Sequence, residues 1–512
     1  MDYLDYVQMT KGQQISYNIK SFFTGIPGAI AGFFQVVANV IKGFFGWIGN
    51  GFKGYGQRFS DGDTGTKLSY VIMGAGNMMH KQLGKGLVFL AVEVLYIMYM
   101  VNFGMTYVSK IYSDNVTITD SNGVTAVHYG VIGSNTPVYG YDDFGEKTLL
   151  NRDNLDTSNN VLLFFVVTLL ITIAFFALYI ANTKSAYETE QLIKAGKTPM
   201  TGIEEIKDYF DERFHVTLLT IPVLGLLAFT VVPIIFTVFI AFTNYTRERI
   251  APGELYWWVG FQNFAEVFNT GSAEQSATFG KILSWTLIWA FFATFSNFIL
   301  GIILALMINK KEIKFKAFWR TLFIITAAVP QFVTLLLMKM LLGQGTGLNA
   351  MMGTTYPFLT DATWAKCTVI IVNIWVGVPF TMLSTSGILM NIPEDLYESA
   401  RIDGANAVQQ FTKITFPYIF FVLTPYLISS FVGNINNFNV IYFLTGGGPE
   451  SHLYYKSGET DLLVTWLYKL TVSEGDYKLA AVIGIFVFLI CAIGSLIAFN
   501  MSKASKNEEE FS

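Results

Sequence analysis

Residues 394–417 read EDLYESARIDGANAVQQFTKITFP, a polar, charged island between two long apolar runs. A segment of this kind lies in water beside a membrane. Pro393 followed by Glu394 and Asp395 predicts a helix start, with fixed φ at the first helical position and carboxylates on the positive dipole end. Gly404 ends that helix, Asn406 can cap a second, and Pro417 is expected to stop the second after Phe416. The stretch predicts a short helix–turn–helix across a membrane surface.

Composition agrees. Of 512 residues, 52% are hydrophobic and 14% charged, against about 25% charged in soluble domains. The net charge of −4, spread over so long a chain, gives no indication of nucleic-acid binding. Cys367 and Cys491 lie far apart without metal-ligand spacing. The polar first twenty residues, with Asp2 and Asp5, are not expected to form a secretory signal.

Working outward, eight spans are expected near 86–108, 161–181, 217–242, 282–308, 318–342, 368–390, 418–444 and 478–500, each long enough for about 30 Å of hydrocarbon. Residues 22–48 carry apolar side chains every three to four positions and read as an amphipathic helix in the interface, with a tilted span as the alternative. Residues 49–85 are Gly-rich and polar and read as a linker. Domains are expected at 1–85 (N-terminal segment), 86–216 (two additional spans with an outer loop at 109–160), 217–500 (a core of the six remaining spans) and 501–512 (tail). With the amino terminus inside, inner connections hold 22 Lys and Arg and outer ones 9, which places both termini and the 394–417 loop in the cytoplasm. The outer loop at 109–160 contains alternating stretches such as Val116-Thr117-Ile118-Thr119 and predicts a small β-structure.

The seventh span holds Gly433-Asn434-Ile435-Asn436-Asn437-Phe438-Asn439 near its middle. Four amides in hydrocarbon need partners, and beside a glycine they predict a broken helix lining a wet cavity, with interhelical hydrogen-bond glue as the plain alternative. Asn434 and Asn437, three apart, share one helix face, and Asn436 and Asn439 another. Amides donate to and accept from hydroxyls, and aromatic residues such as Phe380, Phe431 and Phe438 cover apolar ring faces, so a neutral, hydroxyl-rich solute fits best. The charged candidates are few: Lys339 can snorkel to the outer end of its span, and Glu93 sits on a peripheral helix. No G-x-x-x-x-G-K-[ST] occurs in the sequence, so the chain is not expected to bind ATP itself.

The spacing Glu398-Ser399-Ala400, three residues, Gly404, nine residues, Ile414-x-Phe416-Pro417 resembles the EAA loop of bacterial ABC-importer membrane subunits, with Ser399 and Phe416 as mild departures. Further stretches, among them Asp395-Leu396-Tyr397-Glu398, Asn436-Asn437-Phe438, Gly447-Gly448-Pro449 and Thr460-Asp461-Leu462-Leu463-Val464, make roughly residues 160–500 similar to the MalF-type permeases of maltose/maltodextrin importers. The resemblance implies an all-α fold of about eight transmembrane helices with a six-helix permease core and a cytoplasmic coupling loop. It implies coupling to an ATPase through Glu398, Ser399, Ala400, Gly404, Ile414 and Pro417. It also implies a sugar site at Ala327, Gln331, Val376, Gly377, Phe380, Gly433, Asn434 and Asn437. Ala327 and Gly433 stand where better-known members carry aromatic residues, and Phe380 where they carry tyrosine. The large extracytoplasmic domain that some members carry after the third span is not expected, since residues 243–281 alone fill its place, which suggests another way of docking the binding protein.

The implied partners are a second homologous permease, two copies of a cytoplasmic ATPase that bind Mg-ATP, an extracytoplasmic sugar-binding protein and membrane lipid, and the implied substrate is maltose or maltodextrin. The implied place is the bacterial cell membrane, multi-pass. Two readings stand beside it: an ABC permease for another oligosaccharide, and an ion-coupled secondary transporter, for which Glu93 is the obvious coupling carboxylate. A membrane enzyme would need a nucleophile–base or metal constellation that the four scattered histidines do not form.

Overall fold

The computed structural model describes residues 53–119, 125–134, 139–141, 147–149, 156–249, 255–268, 273–310, 312–451 and 454–501, with scattered positions between 35 and 51. The expected amphipathic helix at 22–48 falls almost wholly outside the described residues, as does most of the tail at 501–512. By its internal contacts the chain divides into two compact units, Asn39–Asn263 with Asp476–Ala481, and Phe264–Gly475 with the flanking terminal segments.

In the first unit, α1 (Thr64–Leu68) and α2 (Ala75–Met79) precede the long helices α3 (Leu83–Lys110), α4 (Ser158–Lys194) and α5 (Phe214–Ile240). Residues 49–85 are therefore not simply a linker. Glycines let α1 and α2 settle closely on α4: Gly74, at φ 82°, donates its amide to Asn182 Oδ1 (2.8 Å), and Asn182 Nδ2 donates to Ser69 O (3.0 Å). Thr66 Oγ1 and the Asp63 amide both donate to Glu190, which is buried. Burial pushes the Asp63 carboxyl up, but the Thr66 amide and His80 outweigh it and hold the group below its usual range. Glu93 Oε2 accepts the Met73 amide (2.9 Å), so this carboxylate is tied to the chain's own backbone.

The expected β-structure is present. β1 (Val116–Thr119) pairs antiparallel with β2 (Thr125–His128), and β3 (Tyr139–Tyr141) with β4 (Lys147–Leu149). Val116 and Ile118 turn inward onto Val131 and Leu255, the alternate positions of a half-buried strand.

The second unit is built on α6 (Ala273–Asn309), which packs along α9 (Ala362–Leu389) and α11 (Ala407–Ile435). Phe298 and Ile302 of α6 close on Ile419, Leu423 and Leu427 of α11. A Cβ on Gly301 would lie 2.5 Å from Thr381, so glycine there sets how closely α6 crosses α9. Among the described residues seven helices are long and apolar enough to cross a membrane, one fewer than expected.

The difference lies at 318–342, where α7 (Lys316–Ala328) and α8 (Gln331–Leu341) replace one span. Pro330 has no N–H to continue the ladder and forces Val329 into an extended conformation (φ −76°, ψ 131°). Neither piece approaches the roughly 20 residues a perpendicular helix needs. The seventh expected span is broken too, into α11 and α12 (Phe438–Leu444). The loop that follows is tightly built: Gly447, at φ 86°, lies against Asp461, where a Cβ would sit 2.0 Å from Oδ1. Asp461 is buried and paired with Lys469 (2.6 Å) on α13 (Leu463–Lys469), and α14 (Tyr477–Met501) ends the described chain.

Candidate functional site

The loop at 394–417 forms as two capped turns. α10 (Glu394–Ile402) carries Glu394 and Asp395 in its first turn, with Pro393 as its N-cap rather than its first helical residue. It ends in a Schellman motif: Gly404 N donates to Arg401 O (3.0 Å) and Ala405 N to Ala400 O (2.8 Å), with Gly404 left-handed at φ 78°. Asn406 and Gln409 then cap each other's backbone amides (2.8 and 2.9 Å) and start α11.

Pro417 does not stop this helix. A π turn at Phe411–Thr415 precedes it, and the helix runs on to Ile435. The widened turn makes room at the carbonyls before the proline, which has no N–H to donate to them. The backbone of the loop is satisfied internally while Glu398, Ser399 and Gly404 face outward, with Ala400 and Ile414 half-buried and Pro417 exposed. Three apolar side chains stand out from this polar stretch: Ile402 (87% exposed), Val408 (68%) and Leu396. A depression of about 280 Å³ opens beside Ala400, Gly404, Gln410 and Ile414.

At the other interruption, α11 ends at Ile435, Asn436 forms its C-cap, and Asn437 is the N-cap of α12, its Oδ1 accepting the Val440 amide (3.3 Å). Asn434 and Asn437 meet, Asn437 Nδ2 donating to Asn434 Oδ1 (3.2 Å). Asn434, 9% exposed, also donates to Thr294 Oγ1 (3.0 Å), and its carbonyl accepts Trp289 Nε1 (3.0 Å), so α6 holds this end of the break. One turn on from Thr294, Asn297 lies against Gly377 of α9, where a Cβ would meet its Nδ2 at 2.2 Å. Asn297 Oδ1 and, one turn before Gly377, Asn373 Nδ2 are buried without a hydrogen-bond partner among the described residues. A polar layer thus crosses α6, α9, α11 and α12.

The remaining expected site residues lie around this layer. Val376 is half-buried, Phe380 is 51% exposed one turn further along α9, and Gly433 is exposed with open space where a side chain would stand. Gln331 opens α8 and accepts Asn439 Nδ2 at Oε1 (3.2 Å), which links the two broken helices. Ala327 lies in the last turn of α7, before the Pro330 break. Asn436 donates to Val432 O and Cys491 Sγ (both 3.4 Å), outside the layer. Trp289, Thr294, Asn297 and Asn373 were not anticipated. Their signal in the sequence is polar residues a helical turn from another polar or small residue, Thr294 with Asn297 and Asn373 with Gly377, in otherwise apolar spans.

Residues 297–506 match the family of binding-protein-dependent transport system inner membrane components. The maltodextrin transport system permease protein MalC of Streptococcus pneumoniae is 32% identical over 455 residues, 86% of this chain and 96% of that protein. The chain belongs to this permease family. The galactooligosaccharides transport system permease protein GanP of Bacillus subtilis is 35% identical over 350 residues, 67% of this chain and 83% of that one. The maltose/maltodextrin permease MalF of Escherichia coli is 36% identical over 267 residues, covering 50% of this chain and 51% of that protein. The permease is accordingly a multi-pass membrane subunit of an ABC transport system that works with a binding protein, and the family match includes both interruptions, the 394–417 loop and the break at Asn436.

Proposed function

We propose that this permease forms the sugar pathway of an ATP-driven importer of maltose and maltodextrins. The observation that carries the reading is the break at Asn436–Asn437, which brings a layer of amides into otherwise apolar helices and leaves Asn297 Oδ1 and Asn373 Nδ2 in need of a polar partner. Amides without charge suit a neutral, hydroxyl-rich solute. Around that layer the proposed sugar site comprises Ala327, Gln331, Val376, Gly377, Phe380, Gly433, Asn434 and Asn437. Asn434 and Asn437 hold each other, so Asn434 acts chiefly by orienting Asn437.

The exposed face around Gly404, with Ile402 and Val408, is the proposed seat on a cytoplasmic ATPase. Two ATPase copies would bind Mg-ATP, a second permease would complete the pathway, and an extracytoplasmic binding protein would deliver sugar. Both termini lie in the cytoplasm in this arrangement, in which α7 and α8 together make the eighth crossing as a broken helix. The similarity to GanP favours a galactooligosaccharide as the second reading. Ion coupling through Glu93 has less support, because that carboxylate accepts the Met73 amide.

The test is uptake into proteoliposomes holding the permease pair, with the ATPase and the binding protein each supplied or withheld. Maltose and maltotriose should accumulate only with all components and ATP. Accumulation driven by an ion gradient without ATP would overturn the reading, and uptake of galactooligosaccharides alone would move it to the second.

A further inference from the structure

α12 has the opposite polarity to a lipid-facing helix. Val440, Ile441 and Leu444 are fully buried, whereas Asn439 is exposed and Tyr442 is 38% exposed. A helix against hydrocarbon turns apolar groups outward, because an amide there costs free energy, so the Asn439 face borders water, a solute or other protein. That amide does not stand alone. It donates to Gln331 Oε1 at 3.2 Å, and Gln331 opens α8, the second half of the other broken helix. The two breaks therefore meet at one pair of amides. Their single bond leaves Asn439 Oδ1 as an acceptor and Gln331 Nε2 as a donor, neither bonded among the described residues. An acceptor and a donor side by side match neighbouring sugar hydroxyls, each of which both donates and accepts.

Aromatic rings continue the same face. Tyr442, one turn beyond Asn439, stacks on Phe438 (centroids 4.7 Å) and meets the edge of Tyr468 (5.3 Å). Phe443 lies against Phe332, the residue after Gln331 (6.0 Å). From Asn437 to Tyr442 the helix rises about 7.5 Å, room for a further sugar ring beyond the polar layer. We infer that Asn439 and Tyr442, with Gln331, form a second sugar subsite on the outer side of the layer, where additional units of an oligosaccharide bind. This subsite rests on the oligosaccharide-import reading above. Gln331 is shared with the first site, Asn439 adds the polar contact proper to this subsite, and Tyr442 adds its ring-covering surface.

The experiment uses the assembled importer with its binding protein and ATPase, and compares uptake of radiolabelled maltose and maltotetraose, normalised to assembled complex. Asn439→Leu and Tyr442→Leu should lower maltotetraose uptake about tenfold while maltose uptake stays within about twofold, and Tyr442→Phe, which keeps the ring, should resemble the wild type. Equal loss for both sugars would make the pair a clamp between helices and overturn the subsite, as would unchanged uptake of both. A wild-type importer that takes up neither sugar removes the oligosaccharide reading itself, and the subsite with it. Wild-type uptake with unaffected variants removes the subsite alone.

Discussion

Two polar interruptions break the apolar pattern of the second unit, and they use their polar groups in opposite ways. The loop at 394–417 satisfies its backbone from within, through the Schellman motif at Gly404 and the reciprocal caps of Asn406 and Gln409, and leaves most of its side chains facing outward. The break at 433–439 turns side chains to neighbouring helices, Asn434 to Thr294 and Asn439 to Gln331. The first is a self-contained surface whose shape is set locally. The second is a junction whose geometry depends on three other helices. Local damage should therefore show as lost function in the loop and as lost assembly in the break.

The largest effect expected is at Gly404. Its φ of 78° costs a residue with a Cβ about 1–2 kcal/mol, more for a β-branched one, although the space around it is open. Gly404→Val should leave the chain inserted and reduce ATP-driven sugar uptake by more than about tenfold, with the ATPase lost from the complex during detergent purification. Normal uptake by well-expressed Gly404→Val would break the comparison on its functional side.

Asn434→Leu tests the other side. It removes the acceptor of Asn437 Nδ2 and the donor to Thr294, at about 1–3 kcal/mol, tempered by the hydroxyl's freedom to bond elsewhere in its own helix. The expected result is less assembled complex on native gels and earlier thermal unfolding. If assembly is unchanged while transport is lost, the break resembles the loop after all. Asn437→Ala should give a smaller loss of stability, about 1 kcal/mol for an N-cap, together with weaker sugar uptake per assembled complex. Uptake equal to the wild type at that assembly level would leave Asn437 with a capping role alone.

The same contrast explains what the sequence made legible. Pro393, the two acids, Gly404 and Asn406 act within a few residues of themselves, so the helix–turn–helix could be read from its own letters. Four amides around Gly433 announced a broken helix, and α12 begins where they stand. What escaped depends on distance along the chain. Nothing near Asn434 points to Thr294, which lies 140 positions away. Pro330 was visible within 318–342, yet hydropathy averages over a window and passes across a single proline. Pro417 misled in the other direction, because the π turn that accommodates it is set by packing as well as by local residue type. At 64–79, glycine and asparagine composition reads as loose chain, whereas Asn182 and Glu190, more than a hundred residues on, fix it.

The helix that runs through Pro417 joins the two interruptions by a single rod. Its 29 residues measure about 44 Å, with the Asn406 cap at one end and Asn434 in the last turn at the other. A stiff shaft transmits torsion as well as thrust. A twist applied at the capped end reaches the amide layer through the π turn and Pro425, the two places where the hydrogen-bond ladder of this helix is interrupted. The π turn adds a phase to that shaft, since one residue more than an α-helical repeat lies between the cap and the far end. Register along α11 is thus a mechanical quantity: one residue inserted or removed would swing Asn434 by about 100° and point it away from Thr294.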